Sequence, residues 1–379
     1  MPSPSIRVLV VDDSVSARSI LTLILQSAPD IQVVGEAKDG RSALELAQKL
    51  KPDLITMDIY MPVMDGFEST KHIMAQCPTP ILVVTASQNL RRDRDRVFES
   101  IAMGALDVVG KPRIDTLDAP GQSAAELLQK VRLLSRVKVV THLAGRWPLP
   151  SEIGARVSEA ALREGKPPSP LVARPPTPAT PLPALAAGRF EVVAIAASTG
   201  GPTALRQVLS ALPANFPAAV AIVQHIAPGF TRGLVEWLHS FTNLQVQEAT
   251  PTDWLRPGVA LVAPSDAHLV VAPGGPIRLV DSEPVDAHRP SANVLFWSLA
   301  KSYGAKAIGV VLTGMGRDGA AGLLQMKQAG AVTLAQDEAT SAVFGMPKAA
   351  ISFGAADEVL PIQEIGPRIV QLVASETVQ

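Results

Sequence analysis

Short apolar runs that alternate with helical patterns restrict this chain to one class of fold. In the first third, runs typical of buried strands begin at Arg7, Ile31, Leu54, Ile81 and Ala105. Between them, apolar residues recur at the three- and four-residue spacing of amphipathic helices. The alternation resumes at Phe190. Strands separated by helices form parallel, doubly wound sheets that bind ligands at the carboxyl ends of their strands. The sequence therefore predicts an α/β protein with two such sheets.

A proline-rich stretch over residues 165–183 interrupts the alternation. It can sustain neither helix nor sheet and is typical of an extended, semi-rigid spacer. We predict a first domain over residues 1–137, a linker over residues 138–189 and a Rossmann-like second domain over residues 190–379. Two alternating runs around Pro273 predict a β-hairpin added to the second domain. A docking segment for an SH3-type domain is the alternative interpretation of the prolines.

Composition narrows the classes of function. The chain has 34 Lys and Arg against 35 Asp and Glu, which argues against a general nucleic-acid binder. No apolar run approaches the roughly 20 residues of a membrane span, and the first residues lack the pattern of a signal peptide. The single cysteine, Cys77, cannot form an internal disulfide. We expect a cytoplasmic protein without nucleic-acid binding or membrane insertion.

Polar residues follow four of the predicted strands in the first domain. Asp12 and Asp13 follow the first, Asp58 ends the third, Thr85 ends the fourth and Lys111 follows the fifth. Carboxylates that meet at one sheet edge repel each other unless a cation joins them, and oxygen ligands suit Mg²⁺. Over residues 5–136 the pattern resembles the receiver domain of bacterial response regulators.

The resemblance to receivers implies a role for each of these side chains. Asp58 accepts a phosphoryl group from a histidine kinase, and Asp12, Asp13 and Asp58 hold Mg²⁺. Thr85 contacts the phosphoryl group through its hydroxyl, and Lys111 contacts it through its charge. The first domain is therefore expected to be a phosphorylation switch of a two-component system.

Three further positions bear on the resemblance. Receivers usually have a cis peptide bond before the proline that follows this lysine, so we expect one before Pro112. Val108 stands where receivers usually carry a rotating aromatic side chain, and Tyr60 stands where an acidic residue is expected. The substitution at Val108 puts the usual aromatic switch in doubt but leaves the phosphorylation site intact.

In the second domain, an apolar run from Val192 ends in Ser198, two glycines and Pro202. Proline suits the first turn of a helix, so Ser198 is expected on a strand-to-helix turn, near backbone N–H groups without intrahelical partners. A hydroxyl held there could be a nucleophile whose oxyanion those N–H groups stabilise. The alternative is a tight turn with a capping or phosphate-binding serine.

His225 and Asp318 also follow predicted strands of this domain. A serine nucleophile needs a base, and a carboxylate on the other imidazole nitrogen fixes the tautomer of that base. Ser198, His225 and Asp318 are therefore candidates for a catalytic triad. His268 and His288 are rival bases. The rival acids are Asp266, Asp281 and Asp337.

A dinucleotide-binding domain is the alternative from another class. The segment Gly314–Gly319 matches G-x-G-x-x-G between a predicted strand and a helix, and Asp337 follows after the next strand. The motif comes late in the domain, however, and this interpretation leaves Ser198 and His225 unexplained.

Five blocks of the second domain resemble the chemotaxis-type receptor methylesterase family. They are ASTGGP, QHIAPGFT, HRPS, LTGMGRDG and AQDEATS, at residues 197–202, 224–231, 288–291, 312–319 and 335–341. The resemblance implies hydrolysis of glutamyl methyl esters on cytoplasmic helices of methylated chemoreceptors, with release of methanol and without a cofactor. Deamidation of some receptor glutamines is also implied. The same chemistry in a receptor pathway other than chemotaxis is the alternative.

The resemblance also assigns roles within these blocks. Ser198 is the nucleophile, His225 is the general base and then acid, and Asp318 orients His225. The backbone N–H groups of Thr199 and Met315 are the oxyanion donors.

The remaining implications concern substrate binding and control. His288 and Arg289 are expected to position the receptor helix or to form a domain contact. The unphosphorylated receiver is expected to cover the active-site entrance until the chemotaxis histidine kinase phosphorylates Asp58.

Overall fold

The computed structural model describes residues 5–85, 91–112, 122–137, 139 and 190–374. Apart from Val139, the predicted linker lies outside the described residues, so its bounds and its extended form stay predictions. No helix within these ranges is long and apolar enough to cross a membrane.

The first domain is a five-stranded parallel sheet in the order β2-β1-β3-β4-β5. Its strands are β1 Ile6–Val11, β2 Ile31–Ala37, β3 Leu54–Met57, β4 Ile81–Thr85 and β5 Asp107–Gly110. Its helices are α1 Val15–Gln26, α2 Gly40–Leu50, α3 Gly66–Gln76, α4 Arg91–Ala102 and α5 Gln122–Leu134. The strand order reverses between β1 and β3, where ligands of such sheets bind. The predicted doubly wound sheet is confirmed.

Local capping explains where the first helices begin. The side chain of Ser14 accepts a hydrogen bond from the backbone N–H of Ala17, and Asp39 and Asp65 cap α2 and α3 in the same way. The caps of α1 and α2 start these helices within a few residues of the ends of β1 and β2, whereas the longer loop over residues 58–65 precedes α3.

The expected cis peptide bond before Pro112 is not found. Within the described ranges, the cis peptide bond is that between Arg289 and Pro290. The expectation was wrong because the two isomers before a proline differ by only about 0.5–1 kcal/mol, so the sequence pattern does not decide between them.

The second domain is a seven-stranded parallel sheet in the order β14-β13-β12-β6-β7-β9-β8. Its strands are β6 Val192–Ala197, β7 Ala219–Gln224, β8 Gln245–Glu248, β9 Val259–Val262, β12 Ala307–Val311, β13 Val332–Gln336 and β14 Glu358–Leu360. The antiparallel pair β10 His268–Val271 and β11 Ile277–Val280 forms the predicted hairpin. The Rossmann-like prediction with an added hairpin is therefore confirmed.

Helices cover both faces of this sheet. They are α6 Gly201–Ser210, α7 Thr231–His239, α8 Ala292–Ser302, α9 Ala320–Gln328, α10 Met346–Ser352 and α11 Ile362–Ala374. Every residue of β6 and β7 is buried, as expected for central strands with both faces covered. Because β6, β7 and β12 run parallel, their carboxyl ends lie at one edge of the sheet, where the candidate residues of the second domain lie.

The two sheets belong to one compact unit. The ring of Phe98 in α4 stacks on Trp237 in α7 with 5.8 Å between centroids. A second contact is made by Val343, which packs against the apolar cluster between the first sheet and α5. Apolar surface of the first domain is thus buried against two parts of the second.

Candidate functional site

Three carboxylates meet at the switch point of the first sheet. Ligand atoms of Asp12, Asp13 and Asp58 lie within 4.8 Å of one another. Lys111 Nζ lies 2.7 Å from Asp12 Oδ2 and 2.8 Å from Asp58 Oδ2. Burial, with the nearby charge of Asp12, raises the pKa of Asp58 despite the opposing effect of Lys111.

This donor set fits a hard divalent cation. The ligands are oxygen atoms only, as Mg²⁺ prefers. Asp12 and Asp58 are both buried, and the Lys111 ammonium lies against both carboxylates. One ammonium offsets only one of these two buried negative charges, so a bound divalent cation would offset the remainder. Asp12, Asp13 and Asp58 are therefore the residues that could hold Mg²⁺.

The other receiver positions lie around this cluster. Thr85 ends β4 and is buried, and its carbonyl accepts a hydrogen bond from the backbone N–H of Lys111. Tyr60 is two residues beyond Asp58 and is 41% exposed. Val108 is fully buried in β5.

A half-buried lysine next to Val108 was missed in the sequence. Lys130 Nζ donates to the carbonyl of Val108 at 2.9 Å and lies 3.1 Å from Asp107 and 3.3 Å from Glu126. Burial opposes the charge of Lys130, but the two carboxylates outweigh it and raise its pKa. In this chain an ion cluster between β5 and α5 therefore lies under the strand that lacks the aromatic side chain.

Ser198 lies on the turn between β6 and α6, half-buried. Its N–H donates to the carbonyl of Thr313 at 3.0 Å, and its own carbonyl accepts from Gly201 N–H at 2.8 Å. A Cβ added to Gly314 would lie 2.7 Å from Ser198 Cβ, so only glycine lets the loop after β12 approach the serine. The two loops that carry the proposed oxyanion donors are therefore in contact.

Asp318 holds the imidazole of His225. Asp318 is fully buried, and its Oδ2 accepts from His225 Nε2 at 2.9 Å. It also accepts from Ser291 Oγ at 2.7 Å and from the backbone N–H groups of Ala292 and Asn293 at 2.7 and 3.0 Å. Burial opposes its ionisation, but the hydrogen bonds outweigh burial and lower the pKa of Asp318.

The free nitrogen of His225 is Nδ1. An ionised Asp318 keeps the ring proton on Nε2, so Nδ1 carries the lone pair that a general base needs. Nδ1 is buried and has no hydrogen-bond partner among the described residues, so a bond to Ser198 Oγ is not formed. The structure joins His225 to Asp318 but leaves Ser198 unbonded to the base. Catalytic hydrogen bonds are often long without substrate.

The rival base His268 has a structural role. Both of its ring nitrogens are used, since Nδ1 accepts from Ser291 N–H at 3.1 Å and Nε2 donates to the carbonyl of Glu283 at 3.2 Å. The Asp337 carboxylate accepts hydrogen bonds from the backbone N–H and the hydroxyl of Thr340. These bonds argue against the alternative in which Asp337 binds the ribose of a dinucleotide. Of the other rival acids, Asp281 pairs with Arg289, and Asp266 is exposed.

The side chains of His288 and Arg289 have different partners. The His288 ring stacks on His225 with 4.0 Å between centroids and 16° between planes, and its Nδ1 donates to the carbonyl of Asp286 at 2.7 Å. Burial, with His225 nearby, lowers the pKa of His288. Arg289 instead contacts Asp281 at 2.5 Å and the carbonyl of Ser282 at 3.2 Å. Only His288 meets the candidate catalytic residues.

Ligand atoms of His225, His288 and Asp318 also lie within 4.8 Å of one another. The two rings are nearly parallel, however, so their in-plane lone pairs cannot converge on one ion. This cluster does not have the geometry of a metal site.

The proposed oxyanion donors have no other task. Within the described residues, the N–H groups of Thr199 and Met315 donate to no acceptor. Thr313 links their loops, since its hydroxyl donates to the carbonyl of Thr199 at 3.0 Å. Sequence reasoning missed Thr313, Gln224 and Ser291. Two of these follow or end strands, and Ser291 precedes a helix, so the strand-end and cap signals used for the other residues could have found them.

Comparisons with known proteins agree with these features. Residues 193–369 match the family model of the CheB methylesterase, and residues 8–119 match that of the response regulator receiver domain. The chain is 46% identical over 360 residues to protein-glutamate methylesterase/protein-glutamine glutaminase 2 of Anaeromyxobacter dehalogenans, with 95% of each chain covered. It is 42% identical over 370 residues to enzyme 1 of the same name from Syntrophus aciditrophicus, covering 98% of this chain and 99% of that protein.

Among solved structures, the CheB methylesterase catalytic domain of Thermotoga maritima is 40% identical, with a TM-score of 0.47. The match spans 48% of this chain and 99% of the Thermotoga maritima domain. The matches to these two relatives extend over both domains of this chain. The receiver model matches the first domain, and the methylesterase model matches the second. The chain therefore belongs to the family of receiver-linked protein-glutamate methylesterases/protein-glutamine glutaminases.

Proposed function

We propose that this chain is a phosphorylation-activated serine hydrolase that removes methyl groups from glutamyl methyl esters of chemoreceptors, releasing methanol, and deamidates some receptor glutamines. The observation that carries the proposal is the His225–Asp318 pair at 2.9 Å. It lies at the same sheet edge as a serine that begins a strand-to-helix turn. Methylated cytoplasmic helices of chemoreceptors are the proposed substrate, and the cytoplasm is the proposed location.

In the proposed reaction, Ser198 Oγ attacks the ester carbonyl carbon while His225 Nδ1 takes the hydroxyl proton. Asp318 stabilises the imidazolium that forms. The N–H groups of Thr199 and Met315 stabilise the tetrahedral oxyanion. His225 then protonates methoxide, a poor leaving group, and methanol departs. In the second half of the reaction, His225 takes a proton from water as the water oxygen attacks the acyl-enzyme. His225 then returns a proton to Ser198 Oγ, and the glutamate side chain is released. Apart from the water and the ester, every group in these steps belongs to the protein, so the proposed esterase reaction uses no cofactor.

In the receiver, Asp58 is proposed to accept the phosphoryl group from a chemotaxis histidine kinase. Asp12, Asp13 and Asp58 would hold Mg²⁺, which neutralises phosphoryl charge when bound. Lys111 and Thr85 would contact the phosphoryl oxygens.

Phosphorylation can shift activity only if it changes the balance between two arrangements of the domains. Val343 supports a link, because it packs on the receiver while its backbone bonds to Thr313 and Gly314.

Methanol release from methylated receptors of the same cell, with and without acetyl phosphate and Mg²⁺, tests the proposal. Ser198→Ala is expected to lower release by at least about 10³-fold, because triad members act as a unit. Ser210→Ala is the matched control, since its hydroxyl bonds within α6. Appreciable turnover by Ser198→Ala would exclude the serine mechanism. Release from other receptors alone would place the enzyme in a pathway other than chemotaxis.

A further inference from the structure

Gln224 ends β7 and connects the two loops of the active site. Its side chain is buried, and Nε2 donates to the carbonyls of Ser198 and His225, both at 2.8 Å. Because both partners are carbonyl oxygens, only the NH₂ end of the amide can face them. One side chain thus joins the backbone of the proposed nucleophile to that of the proposed base.

The bond to Ser198 has a consequence for the next residue. The peptide group between Ser198 and Thr199 is planar and trans, so the direction of the Ser198 carbonyl sets the opposite direction of the Thr199 N–H. The carbonyl is held by Gln224 Nε2 and by Gly201 N–H, each at 2.8 Å. Gln224 therefore contributes to the aim of the Thr199 N–H.

The second oxyanion donor is built in the same way but without a side chain. The carbonyl of Gly314, in the peptide group that carries the Met315 N–H, accepts from the N–H groups of Gly345 and Met346 at 3.0 and 2.8 Å. Two backbone donors hold this peptide group. By contrast, the peptide group between Ser198 and Thr199 is held by one backbone donor and by the Gln224 side chain. A substitution of Gln224 can therefore change how firmly this peptide group is held.

The Gln224 amide packs closely against Gly201 at the start of α6. A Cβ on Gly201 would collide with Gln224 Oε1. That oxygen is buried and has no hydrogen-bond partner among the described residues. A buried amide oxygen without a partner is costly. Within this site, the hydrogen bonds of the side chain are made at its donor end.

We propose that Gln224 is a positioning residue, which aims the Thr199 N–H at the oxyanion and holds the Ser198 turn in register with His225. This inference rests on the proposed serine hydrolase mechanism. Removing an oxyanion donor outright costs about 10²–10³ in kcat. A donor that is kept but no longer held should cost less, about 10- to 100-fold. KM should stay unchanged, because Gln224 is buried beneath the site.

The test compares Gln224→Met with the full-length wild-type chain, both with acetyl phosphate and Mg²⁺. Methionine has a similar length and donates no hydrogen bond. Two rates are measured, kcat for methanol release and the rate at which a fluorophosphonate labels Ser198. KM for methanol release is measured as well. In labelling, Ser198 Oγ bonds to phosphorus, fluoride leaves, His225 takes the proton and the phosphoryl oxygen occupies the oxyanion position. We expect both rates to fall about 10- to 100-fold, with KM within two-fold of wild type.

Two further variants separate positioning from loss of stability. Leu261→Ala opens a cavity in the buried strand β9 and is expected to lower the unfolding midpoint while keeping the labelling rate. Gln224→Asn keeps the amide but is one methylene shorter, so it can reach at most one carbonyl and should show an intermediate rate. It also provides the result if Gln224→Met does not fold.

Wild-type rates in folded Gln224→Met or Gln224→Asn would overturn the inference. A loss of rate equal to that of Leu261→Ala at the same destabilisation, or a change in KM alone, would also overturn it. Labelling does not depend on the natural ester. A wild-type chain that is labelled but releases no methanol therefore refutes the proposed substrate alone, and the labelling series still decides the role of Gln224. A wild-type chain that is not labelled refutes both.

Discussion

Replacing Asp318 by Asn removes one charge and one accepting oxygen while keeping the size of the side chain. In the structure Oδ2 accepts from His225 Nε2 and Ala292 N–H, and Oδ1 accepts from Ser291 Oγ and Asn293 N–H. An amide has one accepting end, so its NH₂ must face one of these pairs. The Oδ1 side costs less, because the Ser291 hydroxyl can turn and accept, which leaves only the Asn293 N–H opposed.

The magnitudes follow from this geometry. A buried donor left without a partner costs about 1–3 kcal/mol, and hydrogen bonds to charged groups are worth about 1.5–3 kcal/mol. We therefore expect a loss of about 2–4 kcal/mol in stability, or roughly 4–16 °C in the unfolding midpoint of a domain of this size. The preferred amide orientation still accepts from His225, so the loss of activity comes mainly from the missing charge.

That charge lies 2.9 Å from His225 Nε2. At an effective dielectric constant of about 20, a charge pair at this distance is worth about 6 kcal/mol before screening. The imidazolium forms during the reaction, so most of this energy is lost from the transition state. We expect kcat to fall by about 10³- to 10⁴-fold.

The assay is methanol release under single-turnover conditions, together with thermal unfolding. Asp253→Asn is the matched control, because the Asp253 carboxylate also accepts from a backbone N–H, a hydroxyl and an amide, in a loop away from the triad. It should lose stability and keep its rate. A rate for Asp318→Asn within ten-fold of wild type would show that Asp318 does not stabilise the imidazolium.

Four other outcomes are expected. Asp58→Ala should abolish phosphate incorporation from acetyl phosphate with Mg²⁺, and retained labelling would contradict the assignment. Because burial raises the pKa of Asp58, its charge destabilises the folded receiver above the unfolded pKa. Asp58→Asn should therefore raise the unfolding midpoint at pH 7, and this gain should vanish as the pH falls below about 4. Phe98→Ala removes an aromatic contact worth about 0.5–1.5 kcal/mol, so methanol release without phosphorylation should rise about two- to ten-fold, and an unchanged rate would oppose autoinhibition. Lys130→Met leaves Asp107 buried without its cation and should cost about 3–5 kcal/mol in denaturant unfolding of the receiver, whereas a stable variant would show that the ion cluster is dispensable.

Central strands were predictable from the sequence, and two edge strands were not. The apolar runs over Val192–Ala197 in β6 and residues 219–223 in β7 are typical of strands buried on both faces. The edge strands β8 and β14 are Gln245–Glu248 and Glu358–Leu360. They are short and partly exposed, and their composition does not differ from that of a loop. They pair because β9 and β13 offer open edges, which is a property of the assembled sheet.

Within the site, the residue types and their positions at strand ends can be deduced from the chain alone, because buried strands and the polar residues that end them leave a local pattern. That pattern places Asp12 and Asp58, and likewise Ser198 and His225, at the edges where ligands bind. It does not choose between His225 and His268, since both adjoin strands. The choice depends on which nitrogens are already bonded, and for His268 both are.

The order of the strands is set by packing between segments far apart in the chain. It brings the end of β7 beside the end of β6, so that Gln224 reaches the carbonyl of Ser198. It also brings the loop after β12 to the start of α8, where Asp318 receives its backbone donors. Hydrogen bonds act over about 3 Å, whereas sequence periodicity reports only on neighbours along one chain segment. The local pattern therefore specifies the chemistry that is present, and the long-range packing specifies which groups can react together.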